Sequence, residues 1–168
     1  NTNSLQKIIQ SDQSNINQKQ AAIYTLLSKS LVHQQFELFK QSYAFMPKNA
    51  MQYKGYNSDN EQLKNKPDFS NFIWNGANIT PQLKCSNLET LVNQLAQTPK
   101  DSLLNVCLGE YFRSEQGYSL QQLAYAEQQK SSFSGKIFAR SQVYKDILKS
   151  SSKDDLHAYA LYRSIQCY

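Results

Sequence analysis

The fold is decided by residues 86–126, which read SNLETLVNQLAQTPKDSLLNVCLGEYFRSEQGYSLQQLAYA. Leucines between residues 88 and 95 recur at the spacing of one helix face, and Pro99 ends that pattern. The same spacing resumes after Asp101, a preferred N-cap residue. The stretch therefore predicts short amphipathic helices in series, and their links are short enough to force antiparallel packing.

Two further signals mark where helices begin in this half of the chain. Ser86 with Glu89, and Ser119 with Gln122, have the spacing of a capping box, in which side chains satisfy backbone N–H groups of the first turn. None of these short helices can bury its apolar face alone, so each needs its neighbours. The periodicity predicts two helical hairpins, formed by residues 87–97 with 101–113 and by residues 137–149 with 154–168.

The first half of the chain divides into three parts. Residues 1–19 are mostly polar and predict a short helix or an N-terminal arm, and residues 20–45 carry the longest helical periodicity. Pro47 ends that helix, and residues 47–85 form a long, irregular, aromatic-rich insertion with turn residues throughout. We therefore expect an all-α fold of antiparallel helical hairpins, solenoid-like or bundled, in which residues 20–168 form one helical domain with this insertion.

The amino-acid composition indicates the class of fold but does not identify a binding partner. Of the 168 residues, 40% are hydrophobic and 18% are charged, with 5 Gly and 4 Pro, which is typical of a folded helical domain and not of a turn-rich β-sandwich. The net charge of +5 is spread along the chain, so binding to nucleic acid is not expected. Basic residues are almost all lysine, and arginine occurs only at Arg113, Arg140 and Arg163. The Lys, Asn, Gln, Ile and Tyr bias is typical of an AT-rich genome, and we expect a bacterial source.

The motifs of the common enzyme classes are missing from the sequence. Neither GxSxG, HExxH, a P-loop nor GxGxxG occurs. His33 and His157 each lie in a helical pattern without a second ligand three or four residues away, and the cysteines show no CxxC spacing. We therefore expect no metal, no cofactor and no recognisable catalytic residue. No run of about 20 apolar residues predicts a membrane-spanning helix.

The cysteines leave two interpretations open. In an oxidising compartment, Cys85 and Cys107 can form a disulfide that ties the insertion to the helices, with Cys167 left as a free thiol or for a partner. In the cytoplasm, all three remain reduced and buried. We favour the disulfide, and with it an exported protein, periplasmic or secreted, because a free cysteine has little packing role in the loop that holds Cys85. The sequence ends at Tyr168 within a helical pattern, which leaves open whether the array continues.

The aromatic segment 53–74 is the best candidate for contact with a ligand or partner. Lysines interleave with its rings, and aromatic rings can stack on sugars, bases or peptide side chains while lysine meets an anionic group. The alternative is that the rings only pin a long loop onto the helices. The predicted contact residues, with one from the array, are Tyr53, Lys54, Tyr56, Phe72, Trp74 and Tyr111.

The last predicted hairpin carries a spacing known from helical repeats. Leu161 and Tyr168 are seven residues apart, as a large apolar residue and an aromatic are in one helix of such a unit, and Tyr144 with Leu148 suits the face of the other helix. In this the hairpin resembles the tetratricopeptide repeat family, over roughly 30 residues. Ile165 stands where that family has glycine. The resemblance implies a scaffold that binds peptides or proteins.

Together these patterns favour a non-enzymatic protein–protein interaction module that presents a helical-array binding surface to a protein partner. A second hypothesis is a binder of polyanions or glycans through a surface of lysine and tyrosine. A third is a fragment of an enzyme whose catalytic residues are not recognisable. No oligomeric state is predicted.

Overall fold

The computed structural model describes residues 2–48, 66–128 and 133–166. Over this part of the chain the protein is mostly helical, with a single two-stranded antiparallel sheet. In chain order, the elements are α1 (Thr2–Gln10), α2 (Ile16–Val32), α3 (Phe36–Tyr43), a 3₁₀ helix (Phe69–Phe72), β1 (Ala77–Asn78), β2 (Lys84–Cys85), α4 (Leu88–Gln97), α5 (Ser102–Arg113), α6 (Tyr118–Glu127), α7 (Arg140–Leu148) and α8 (Asp155–Gln166).

Helices that follow one another in the chain mostly pack against one another, which is the arrangement of helical hairpins. Helix α1 packs on α2, α2 on α3, α3 on α4, and α4 on α5. Helix α6 contacts both α2 and α5, and α5 also contacts α7, which pairs with α8. The predicted all-α fold class is confirmed for the described residues, including both predicted hairpins.

The long helix predicted over residues 20–45 is wrong at its start. Helix α2 begins earlier because Asn15 forms a capping box that the prediction lacked. The Asn15 side chain accepts a hydrogen bond from the backbone N–H of Gln18, and the Gln18 side chain accepts one from the backbone N–H of Asn15, each at 2.9 Å. Two backbone donors of the first turn are thereby satisfied, which stabilises the helix start.

The same prediction is wrong in its middle, where α2 ends and α3 begins after a sharp turn. Gln34 has a φ of 56°, a left-handed conformation that is uncommon outside Gly, Asn and Asp. Residues 133–139, which we call the clasp segment, run along this turn. The Gln34 side-chain amide donates to the carbonyl of Lys136 at 2.9 Å, and the backbone N–H of Phe138 donates to the carbonyl of Val32 at 2.8 Å. These contacts offset the strain of the turn.

The helix starts in the second half agree only in part with the predicted caps. The side chain of Asp101 accepts a hydrogen bond from the first turn of α5, as predicted. The capping boxes predicted at Ser86 and Ser119 are wrong. Asn87 caps α4, and α6 begins directly after Gly117 without a side-chain cap. A Cβ at Gly117 would collide with the backbone at the end of α5. Glycine is therefore needed where the chain turns from α5 into α6, because the two helices approach each other closely there.

The aromatic residues at the end of the insertion belong to the core. Phe69 and Phe72 meet the ring of Tyr24 edge-on, with centroid distances of 5.8 and 5.4 Å. Trp74 meets Tyr111 of α5 in the same way at 5.7 Å. Each buried ring contributes about 1.5 to 3 kcal/mol of transfer free energy. In the part of the insertion that the structure describes, the rings therefore pin the loop onto the helices.

Tyr111 provides a test of this pinned arrangement. Its hydroxyl donates to the carbonyl of Asn71 at 2.8 Å, and burial raises the pKa of Tyr111 well above its ordinary value, so the hydroxyl remains a donor. We expect Tyr111→Phe to lower the free energy of unfolding by about 1 to 2 kcal/mol, because the part-buried carbonyl of Asn71 loses its donor. Urea unfolding measures this change. Tyr118→Phe is the control, since the exposed Tyr118 hydroxyl has no hydrogen bond to a described residue; equal losses in both variants would contradict the assignment.

The last hairpin attaches to the rest of the fold through a small core of its own. Helices α7 and α8 pack on one face of α5, apart from the larger core formed by α2 to α6 and the insertion. The buried members of this second core are Val106, Tyr144, Ile147 and Ala160. Helix α8 buries few side chains, so polar contacts to α5 also hold it in place.

Candidate functional site

All three arginines of the sequence line one pocket. Arg113, Arg140 and Arg163 border a cavity of about 450 Å³ between α5, α6, α7 and α8. Amide and hydroxyl side chains, among them Gln121 and Tyr125, complete the lining. The sequence has fifteen lysines and only three arginines, and no lysine among the described residues borders this pocket. We call this cavity the arginine pocket.

The helix ends explain the position of two of these arginines. Arg113 and Arg163 lie in the last turns of α5 and α8, where a positive side chain interacts favourably with the negative end of the helix dipole. Arg140 is the first residue of α7 and lies at the positive end, so helix stability does not account for its charge. Ala139 precedes it as an N-cap without a side-chain hydrogen bond, and residues 139–141 line the pocket. The start of α7 therefore adds positive potential to the pocket.

Glu110 is the counter-ion of the pocket. Its Oε2 atom lies 2.7 Å from Nη1 of Arg113 and 3.6 Å from Nη2 of Arg163, and its side chain is 11% exposed. Its Oε1 atom accepts a hydrogen bond from the hydroxyl of Tyr159, which in turn accepts one from Nε of Arg163 at 2.7 Å. Burial, and then the hydrogen bond to Glu110, raises the pKa of Tyr159, so this hydroxyl stays protonated. Glu110 thereby joins α5 to α8 and orients two of the three guanidinium groups.

Arg140 has no acidic partner among the described residues. Its Nε atom donates to Oε1 of Gln121 at 3.2 Å, and its stem crosses Gly109, where an added Cβ would lie 3.3 Å from Cγ of Arg140. Counted over the described residues, three guanidinium groups against the single carboxylate of Glu110 leave the pocket with an excess of two positive charges. Guanidinium groups donate paired, parallel hydrogen bonds to oxyanions, so the arrangement suits the recognition of an anionic group.

The residues that the sequence singled out for partner contact lie elsewhere. Phe72, Trp74 and Tyr111 are 0%, 6% and 0% exposed, so they pack the core and do not form a contact surface. This corrects the prediction for these three residues, whose aromatic character reflects burial. The predicted contacts at Tyr53, Lys54 and Tyr56 lie outside the described residues.

The cysteines adopt the pairing that the sequence analysis weighed against buried free thiols. The Sγ atoms of Cys85 and Cys107 form a disulfide with a Cα–Cα distance of 5.3 Å. The bond joins β2, at the end of the insertion, to the middle of α5. It thus anchors the insertion to the helix that carries Glu110 and Arg113. Cys167 lies outside the described residues.

A second polar cluster is buried between α2 and α6. Nε2 of His33 lies 2.8 Å from one oxygen of Glu127, and Nζ of Lys29 lies 2.8 Å from the other. His33 also borders a groove of about 630 Å³ that runs beside the clasp segment. Because Glu127 forms an ion pair with Lys29 and also contacts the ring of His33, we interpret the cluster as a structural contact that holds the end of α6. Within the described ranges, no three His, Cys, Asp or Glu residues are grouped as a metal site.

The arginine pocket was not predicted, although its signal is present in the sequence. In a chain that uses lysine almost everywhere, each arginine marks a position where the flat, multidentate guanidinium group is required. The three arginines lie on separate helices, so no local motif joins them. Only the packing of α5, α7 and α8 brings them together.

Comparisons with protein-family models, curated proteins and solved structures found no match to this chain. The resemblance of the last hairpin to tetratricopeptide repeats therefore remains a prediction. Of the helices in the described part of the chain, none combines the length and the apolar character needed to cross a membrane.

Proposed function

We propose that the protein is a non-enzymatic protein–protein interaction module that binds an acidic group of its partner in the arginine pocket. One observation carries this proposal, the convergence of all three arginines of the chain on a single cavity. The helical hairpins provide the scaffold, and the pocket provides the point of charge recognition. The repeat-like spacing of the last hairpin, read as a resemblance, agrees with a scaffold of this kind.

The chemistry of the lining supports recognition as the role of the pocket. Its side chains supply positive charge and hydrogen-bond donors, which bind and orient an anion. Arginine is the residue that proteins use where a carboxylate or phosphate is bound in two-point geometry. Glu110 holds Arg113 and Arg163 in place before any ligand arrives, and such preorganisation reduces the entropy lost on binding.

The disulfide supports an exported location for this module. Disulfides persist in oxidising compartments such as the periplasm or the extracellular space and are rare in the cytoplasm. Cys85 and Cys107 are bonded, and Cys107 lies on α5, the helix that also carries Glu110 and Arg113. We propose that the partner is met in such a compartment.

Arg140→Gln is expected to weaken partner binding at least tenfold, because a hydrogen-bonded charge in an interface is worth about 1.5 to 3 kcal/mol. Arg140 is the best probe since it takes no part in the Glu110 ion pairs, so its loss leaves the ion pairs that join α5 to α8 in place. Lys145→Gln removes the same charge from an exposed position on the same helix and serves as the matched control. Calorimetric titration with the partner measures both variants, and equal affinities would contradict the proposal.

The partner is found by capture from a lysate of the native cell, with the oxidised wild-type chain and these two variants as parallel baits. A protein retained by the wild type and Lys145→Gln but lost with Arg140→Gln supports the proposal, once its purified form binds with the same order of affinities. Retention of nucleic acid or acidic glycan in place of a protein, released by salt, would favour the polyanion binder. A protein held equally by all three baits would refute the arginine pocket as the site.

A further inference from the structure

We infer that the arginine pocket accepts a phosphate monoester in its dianionic form. The inference rests on the proposed function only in taking this pocket as the recognition site, and it names the chemical group that the pocket accepts. The charge balance carries it, because in the part of the chain that the structure describes three guanidinium groups are opposed by the single carboxylate of Glu110. A monocarboxylate would leave one positive charge unbalanced, whereas a phosphate monoester carries about −1.5 to −2 at neutral pH.

The donors of the pocket match the acceptors of such a group. A phosphate monoester presents three terminal oxygens, and guanidinium groups bind phosphate through paired N–H donors. Arg140 uses only Nε in its hydrogen bond to Gln121, so neither of its Nη groups has a hydrogen bond to a described residue. Arg113 directs Nη1 to Glu110 and has no further hydrogen bond to a described residue, which leaves its Nη2 for a ligand. The N-terminus of α7 has no side-chain cap, and residues 139–141 at this end line the pocket. Its positive potential therefore also favours a dianion.

The size of the pocket indicates that the phosphate group enters as part of a larger molecule. Its volume of about 450 Å³ exceeds the need of a bare phosphate and falls in the range of about 300 to 1,000 Å³ for small-molecule sites. Tyr125 borders the same cavity, is 52% exposed and offers ring surface to the organic part of the ester. Two sources carry this chemistry, a phosphorylated side chain on a protein partner and a free small-molecule phosphate ester.

Phenyl phosphate tests the inference through its own titration. The second ionisation of a phosphate monoester has a pKa of about 6, so the dianionic fraction rises about tenfold between pH 5 and pH 7.5. We expect the affinity of the oxidised full chain for phenyl phosphate, measured by calorimetry, to rise by a similar factor. Inorganic sulfate keeps both charges over this range. The pH dependence of sulfate binding therefore reports any titration of the protein's own groups Glu110, Tyr125, Tyr159 or His157. The quantity to compare between pH values is the ratio of the affinity for phenyl phosphate to the affinity for sulfate.

Several results would overturn the inference. These are an affinity ratio that does not change with pH, a failure of phenyl phosphate to bind, and acetate binding as tightly as phenyl phosphate. Arg140→Gln is expected to lose at least tenfold in affinity for phenyl phosphate, since it removes a charged hydrogen-bond donor. Lys145→Gln should retain the wild-type affinity, and an equal loss in both variants would indicate only a general effect of net charge.

A pair of blocked peptides separates this inference from the proposed function. One carries phosphoserine, and the other carries glutamate at the same position. If the glutamate peptide binds and phenyl phosphate does not, the proposed function stands and the inference fails. If phenyl phosphate binds and neither peptide does, the inference stands and the proposal of a protein partner fails. Tighter binding of the phosphoserine peptide than of phenyl phosphate identifies a protein source, and the reverse order identifies a free ester.

Discussion

Replacement of Phe138 by alanine is expected to lower the free energy of unfolding by about 3 to 5 kcal/mol. The ring is 2% exposed and stacks on Phe112 of α5, with a centroid distance of 5.1 Å and an interplanar angle of 15°. It anchors the clasp segment in the main core, where its backbone N–H also bonds to the carbonyl of Val32. The surrounding side chains can fill only part of the vacated space, so both packing and transfer free energy are lost.

The same variant is expected to weaken anion binding, because Phe138 borders the arginine pocket and Arg140, the first residue of α7, lies two residues further along the chain. Urea unfolding measures the stability, and titration with phenyl phosphate measures the binding. Phe45→Ala is the matched control, since that ring is 52% exposed and lies away from the pocket. A loss of stability in Phe138→Ala no greater than that in Phe45→Ala would show that the clasp segment does not anchor the fold.

Removal of the disulfide is expected to cost about 3 kcal/mol of stability. Cys85 and Cys107 are separated by 22 residues, and a cross-link across a loop of that size restricts the unfolded chain. For a chain of 168 residues, this loss lowers the melting temperature by about 6 to 12 °C. The effect is measured by thermal unfolding of the Cys85→Ser/Cys107→Ser double variant against the oxidised wild type.

Reductant provides the control for this prediction. It should lower the melting temperature of the wild type towards that of the double variant and leave the double variant unchanged. A reductant effect of equal size on both proteins would place the sensitive thiol elsewhere in the chain. An unchanged wild type under full reduction would show that the helices hold the insertion without the covalent bond.

The sequence predicts the helices of the second half well where their starts and stops are local. Asp101 and Pro99 act within one turn of the helices they bound, so their effect can be read without the fold. The break at Gln34 could not be read in this way. A left-handed glutamine is tolerated there because the clasp segment, about a hundred residues later, supplies hydrogen bonds to the turn. Nothing within residues 20–45 carries that information.

The candidate site was less accessible to prediction than the fold. The aromatic segment was predicted as a contact site because rings with interleaved lysines suit ligand binding. Phe72 and Trp74 are instead buried, and aromatic residues are equally common in a buried core. The functional signal was the rarity of arginine, a property of the whole chain and not of any window. The meeting of Arg113, Arg140 and Arg163 depends on tertiary packing, which the periodicity of single helices does not specify.

The separate small core of the last hairpin has a consequence for how binding is felt by the rest of the molecule. Arg140 and Arg163 belong to this hairpin, while Arg113 and Glu110 belong to α5. Any local opening that lifts α7 and α8 away from α5 therefore dismantles the pocket. A ligand that binds only the closed form raises the free energy of that opening with the logarithm of its concentration, once this exceeds the dissociation constant. If the proposed ligand binds, we therefore expect amide hydrogen exchange to slow most in α7 and α8.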